Sequence, residues 1–278
     1  MEGWQKEVEH LRFDQGISWD GIAEKMSGVF PELSILKVKN KCRDYIRGLN
    51  KPVAGPKLVF SDIHTPFDCK NYPYFLRDVA QQYKTKSVVC LGDLVDSHAI
   101  SFHEKEPCAY GAYTEYDMAI QRLKVYGLIF PEVTYLVGNH DLRIERVAAK
   151  NGIGRRFLKP LQEILELPEG WECKGDEFIE DGVLYMHGIN CGGQDGALKR
   201  AIAERMSVCI GHYHSGGGVK YATNKRDTVF GMNVGCGVSD DAYALAYGQH
   251  NPRRGTLGCG IVYGPDSAIF VPMGREYE

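Results

Sequence analysis

From Lys57 onward the chain repeats one pattern: an apolar run of strand length closes on an Asp, Asn or His, and a helical segment follows. "KLVFSD" leads to a helix near residues 72–83, "SVVCLGD" to a helix near 113–128, and "VTYLVGN" closes the third run. Continuous apolar runs of this length read as strands buried on both faces. Their alternation with helices predicts parallel α/β units with helices covering the sheet. Past Asp181 come "GVLYMHG", "SVCIGHY", "TVFGMNVG", "LGCGIVYG" and "SAIFVPM", with a helix near 197–206 after the first of them. Residues 1–50 carry helical periodicity instead, and Pro52, Gly55 and Pro56 mark a domain boundary after them.

The strand ends supply chemistry. Asp62 and His64 form D-x-H, Asp93 and Asp96 form G-D-x-x-D, and Asn139, His140 and Asp141 complete G-N-H-D. His187 closes a later strand, and His212 and His214 form G-H-x-H. The carboxyl ends of strands in an α/β sheet are where a site is assembled. One Asp behind a strand is ordinarily a turn or cap residue, and one His an ordinary satisfied side chain. Five such motifs in order, each behind an apolar run, read as a metal-ligand set. Carboxylates, imidazoles and an amide oxygen suit several divalent ions, of which Mn²⁺ is the one expected and Fe²⁺, Zn²⁺ or Ni²⁺ the other candidates, although ligand type alone does not select among them; the lack of thiolate ligands speaks against a structural zinc.

Composition bounds the rest. The 278 residues, 44% hydrophobic, suffice for one core plus an appendage, and a net charge of −3 provides no global basic field. Nine cysteines without a C-x-x-C pair imply reduced thiols. With no stretch of about 18 apolar residues, the chain is expected to be cytoplasmic and without membrane contact.

The ordered motifs resemble those of the calcineurin-like metallophosphoesterases across residues 57–278. The resemblance implies a four-layer β-sandwich flanked by helices, and one metal held by Asp62, His64, Asp93 and His214. A second would be held by Asp93, Asn139, His187 and His212, with Asp93 bridging. In such sites two ions about 3.5–4 Å apart neutralise the phosphoester and turn a bridging water into hydroxide. His140 is then expected to be the general acid and Asp96 the carboxylate that orients it. Asp141 reads as the cap of the helix that follows. Arg143 and Arg146, in that helix, are candidate phosphate contacts, and His98 and His103 weaker ones.

In residues 1–52, Ser18 is expected to cap a second helix, with Ile17 and Ile22 as its staple. A first helix places Trp4, Val8 and Leu11 on one face. At about 100° per residue, a third places Ile35, Val38, Cys42, Tyr45, Ile46 and Leu49 on one arc, and Lys37, Lys39, Lys41, Arg43 and Arg47 on the other. This is similar to trihelical homeodomain-like and Myb-like helix-turn-helix domains, whose third helix enters the major groove. The pairing of modules resembles proteins of bacteriophages or mobile elements, which would place the chain in a host cytoplasm.

The leading expectation is thus a two-metal phosphoric ester hydrolase acting on DNA as a nuclease or DNA-end phosphatase. An alternative is a phosphatase or cyclic phosphodiesterase of small nucleotides or phosphoproteins. Ser97 and His98 stand where protein phosphatases have Arg-Gly, which lowers the phosphoprotein option. A third reading, a DNA-binding regulator on a dead scaffold, conflicts with retention of every ligand.

Overall fold

The computed structural model describes residues 3–11, 17–39, 41–42, 55–102, 109–239 and 254–277. Its contacts divide the chain into two units, Met1–Ala54 and Gly55–Glu278.

In the first unit, helices Gly3–Glu9 and Trp19–Met26 and a helical stretch at 35–39 and 41–42 surround a core of Val8, Leu11, Ile22, Met26, Phe30 and Val38. Ser18 caps the second helix by accepting from Gly21 N at 3.3 Å, leaving one fewer amide without a partner. Trp4 meets Phe30 edge-to-face with centroids 5.2 Å apart. The predicted apolar arc needs correction: Val38 and Cys42 are buried, whereas Ile35 is 54% exposed at the open end of the stretch. The basic arc also differs from a uniform solvated row. Lys37 is exposed, but Lys39 pairs with Asp20 at 2.6 Å, and Lys41 lies over the rings of Trp4 and Phe30 at 5.5 and 5.0 Å. Arg43, Tyr45, Ile46, Arg47 and Leu49 lie outside the described residues.

The second unit contains eleven strands among its described residues: β1 Lys57–Phe60, β2 Ser87–Cys90, β3 Val133–Tyr135, β4 Trp171–Cys173, β5 Glu177–Glu180, β6 Val183–Met186, β7 Ser207–Ile210, β8 Gly218–Thr223, β9 Thr228–Asn233, β10 Gly258–Gly264 and β11 Ser267–Pro272. They form a six-stranded sheet, β11-β10-β1-β2-β3-β4, and a five-stranded sheet, β5-β6-β7-β9-β8. The runs β1-β2-β3-β4 and β6-β7-β9 are parallel.

Strand pleat explains the layers, because successive side chains face opposite ways. Leu58 and Phe60 of β1 join a core beneath helices Tyr72–Gln82 and Ala112–Ile129, while Val59 between them joins the core shared by the two sheets. On β7, Cys209 faces the other sheet, and Val208 and Ile210 face helix Gly196–Glu204. The result is helix, sheet, sheet, helix, the layering expected from the sequence. Because β1, β2 and β3 are parallel, and β6 and β7 likewise, each sheet gathers its ligand-bearing loops at the carboxyl ends of these strands.

Candidate metal centre

Each motif occupies the loop leaving its strand. Asp62 and His64 follow β1, Asp93 and Asp96 follow β2, Asn139 and His140 follow β3, His187 follows β6, and His212 and His214 follow β7. Asp62, His64, Asp93 and His212 all have positive φ, at 53°, 49°, 53° and 64°. Asp and His tolerate this left-handed backbone better than most residues, and such strain concentrates at functional sites. Gly138 and Gly211 show why glycine precedes Asn139 and His212. A Cβ at Gly138 would run into Asp93 N and Oδ1, and one at Gly211 into Ser61 Oγ and Asp62 Oδ2.

The loops converge on two groups of donors. The ligand atoms of Asp62, His64 and His214 lie within 4.8 Å of one another, as do those of Asp93, His187 and His212. Within the first, His214 Nε2 is 3.1 Å from both Asp62 Oδ1 and His64 Nε2. Within the second, His187 Nε2 is 3.0 Å from Asn139 Oδ1 and 3.2 Å from Asp93 Oδ2. Asp93 Oδ2 is also 3.6 Å from His64 Nε2, so it stands between the groups. Asp62, His64, Asp93 and His187 are each at most 2% exposed.

Buried partners aim the rings. Asp96 Oδ1 lies 2.7 Å from His64 Nδ1, and Leu91 O lies 2.9 Å from His187 Nδ1, which turns both Nε2 atoms toward the centre. Burial works against imidazolium, yet the surrounding carboxylates outweigh it and lift His64 to about 10 and His187 to about 9. Burial likewise opposes ionisation of Asp62 and Asp93, but the histidines hold both below the usual carboxylate range. Carboxylates and imidazoles held this close fit divalent cations, which must displace the imidazolium protons to bind.

A third group lies beside them. His140 Nδ1 is 2.8 Å from Asp96 O and 3.2 Å from Asp96 Oδ1, and its ring stands edge-on to His64 at 4.4 Å. Arg143 donates to Asp96 O at 2.9 Å, and its Nη2 lies 3.1 Å from His140 Nε2. Arg146 donates to Asn139 O from an exposed position. Burial first, then the charge of His64, lowers the pKa of His140. His98 is buried 3.9 Å from Asp96 Oδ2, and His103 lies outside the described residues.

Asp141 does not cap the helix. The cap position of helix Arg143–Lys150 is Leu142, and the buried Asp141 carboxylate accepts from Asp93 N and Gly138 N at 2.8 Å and from Val95 N at 3.2 Å. It therefore pins the two ligand loops together. Asp141→Asn keeps one acceptor oxygen but turns an NH₂ toward amide donors, and should cost about 1–3 kcal/mol. Denaturant unfolding of the variant checks this, and an unchanged midpoint would reject the pinning role. Glu115 acts similarly: buried on helix Ala112–Ile129, it accepts from His98 N and Ala99 N, both at 2.7 Å, and anchors the loop carrying Asp96. Its only sequence signal is an acid in a helix's first turn, which reads as dipole compensation.

A family model described as Calcineurin-like phosphoesterase matches residues 56–226. Similar solved structures include Vps29 of Entamoeba histolytica, at 13% identity over 79% of this chain and 99% of that one, with a TM-score of 0.35. Yfce, a phosphoesterase from E. coli, is 15% identical over 79% of this chain and 100% of its own, with a TM-score of 0.35. Pseudomonas putida nuclease MPE is 12% identical over 78% and 87%, with a TM-score of 0.29. No curated protein matches the sequence.

Proposed function

Because the chain belongs to the calcineurin-like phosphoesterase family and is a metal-dependent phosphoester hydrolase, we propose that it hydrolyses phosphodiesters or terminal phosphates of DNA. The observation that supports two-metal ester hydrolysis most is Asp93 standing between two donor groups, one of Asp62, His64 and His214, the other of His187 and His212 joined by Asn139. Mn²⁺ is the ion proposed, with Fe²⁺, Zn²⁺ and Ni²⁺ as the alternatives that this mixed carboxylate and imidazole set also accepts. When bound, two divalent ions would neutralise phosphoryl oxygens and acidify a coordinated water.

The chain's own residues do the rest. Asp62, His64, Asp93, Asn139, His187, His212 and His214 hold the ions, and Asp96 aims both His64 and His140. Arg143 donating to His140 Nε2 leaves that nitrogen as an acceptor in the substrate-free protein. Arrival of an anionic phosphate draws the Arg143 fork onto its oxygens and favours a protonated His140, which then delivers Nε2–H to the leaving oxygen. Arg146, exposed beside Asn139, is the second phosphate contact.

Residues 1–52 are proposed as the DNA-localising module. Ser18 capping its helix and the basic side chains of its third helical stretch support that reading, with Lys37 and Lys41 exposed among the described residues. No helix among the described residues is long and apolar enough to cross a membrane.

The test is an assay of Mn²⁺-loaded protein on single-stranded, double-stranded and 5′- or 3′-phosphorylated DNA, beside nitrophenyl phosphate mono- and diesters. Metal-dependent release from DNA with kcat/KM above that for the nitrophenyl esters is expected. Hydrolysis of the small esters with no DNA product would move the substrate to small nucleotides.

A further inference from the structure

The turn that leaves β7 serves both donor groups at once, because His212 belongs to one and His214 to the other. Tyr213 stands between them, and its carbonyl oxygen is where the turn is tied to the sheet. Asn233, the last residue of β9, donates from Nδ2 to Tyr213 O at 2.9 Å, while its Oδ1 accepts from Gly235 N at 2.9 Å. The residue is 8% exposed, so both ends of the amide are committed inside the protein. β9 runs parallel to β7 with Asn233 opposite Ile210, which sets the amide beside the start of the turn.

The turn needs such a tie. His212 holds a φ of 64°, a conformation that persists only where its surroundings over-determine it. Its amide donates to Asp62 Oδ2 at 2.7 Å, Gly216 N donates to Tyr213 O at 3.0 Å, and Thr256 N donates to His214 O at 2.7 Å. The first of these bonds leans on another ligand residue and the second lies within the turn itself. Asn233 is therefore the side chain outside the ligand set that fixes the Tyr213 carbonyl. Packing does not replace it, because Ser215, Gly216, Gly217, Asn233 and Thr256 line a cavity of about 370 Å³ on that side. Glycine at 216 leaves room for the bond, since a Cβ there would come 2.9 Å from Asn233 Nδ2 and 2.6 Å from Tyr213 Cδ1. We propose that Asn233 is a positioning residue for both metal sites, holding Tyr213 O so that His212 and His214 stay in their separate donor groups. Freeing that carbonyl lets its peptide turn, and the imidazoles on either side move with it. The inference rests on the ligand assignment above and is independent of the DNA reading.

The experiment titrates the full chain, stripped by chelator, with Mn²⁺ by calorimetry, and follows bis(p-nitrophenyl) phosphate turnover at limiting and saturating Mn²⁺. Asn233→Leu keeps the side-chain volume and removes both hydrogen bonds. It should weaken binding of both ions by roughly ten- to hundredfold, the usual effect of losing a group that orients metal ligands. Turnover should fall in parallel at limiting Mn²⁺ and return most of the way at saturation. Asn233→Asp keeps an oxygen for Gly235 N and so spares the fold. It should also bind the ions more weakly, although a carboxylate's charge alone would tighten cation binding, so that loss isolates the missing donor. Unfolding of the metal-free proteins separates this from a merely structural role, which would lower the midpoint and leave the affinities of the folded variants unchanged. Wild-type affinity for both ions in either folded variant would overturn the role, and a loss confined to one ion would overturn the joint hold. A wild type that binds fewer than two ions would overturn the ligand assignment and this inference with it.

Discussion

Asp93→Asn is expected to give a folded protein that holds fewer than two ions and has lost nearly all activity. Asp93 is 1% exposed, with Oδ2 3.2 Å from His187 Nε2 and 3.6 Å from His64 Nε2, and Oδ1 accepting from His140 N at 2.8 Å. Asparagine is the least disruptive replacement, because it tolerates the φ of 53° found here and keeps one oxygen for the His140 amide. What it removes is the charge shared between the donor groups, and it turns an NH₂ toward one of them. Several kcal/mol of transition-state stabilisation should go with the ions, which corresponds to at least about a thousandfold in kcat/KM. Elemental analysis of purified protein, circular dichroism and nitrophenyl diester turnover check the three parts of this expectation. Two ions per chain with turnover near wild type would remove Asp93 from the bridging role.

The prominence of Asp93 in the sequence shows what could be read there and what could not. Central strands were legible because burial on both faces demands continuous apolar runs such as those of β1, β2 and β7. The donor residues stood out because charged and imidazole groups directly behind such runs need a reason to be there. The three strands that the sequence did not show are β4, β5 and β8, and all three lie at sheet edges. Their burial alternates weakly or not at all, as in Glu177–Glu180, where only Phe178 is partly covered. Such strands are specified by the neighbour they pair with rather than by their own pattern. The same limit hid Asp141 and Glu115: besides the nearby Gly138 N, Asp141 holds backbone amides 46–48 residues away, and Glu115 holds amides 16–17 residues away. Locally, each looked like a helix-terminus acid. Lys39 and Lys41 were legible as basic, but their pairing with Asp20 and with the Trp4 and Phe30 rings was not, because those contacts exist only once the helices pack.

His140→Ala should separate chemistry from metal holding. Its ring reaches Asp96 through Nδ1 and Arg143 through Nε2, while Asn139, one residue earlier, faces His187. Removing the imidazole therefore leaves both donor groups intact, and metal content should stay at the wild-type level. Turnover should fall by about 10²–10⁴-fold for esters with poor leaving groups, the contribution of a positioned general acid. Nitrophenolate departs without a proton, so activated esters should lose much less. The pH profile supplies a second readout. Wild-type kcat on a poor-leaving-group ester should decline on the alkaline side as His140 gives up its proton, and the variant should lack that limb. Equal losses on both classes of ester, with the alkaline limb retained, would take His140 out of the acid role. The Arg143 fork would then be the main transition-state contact beside the ions, because it is the cationic group that touches both Asp96 O and the His140 ring.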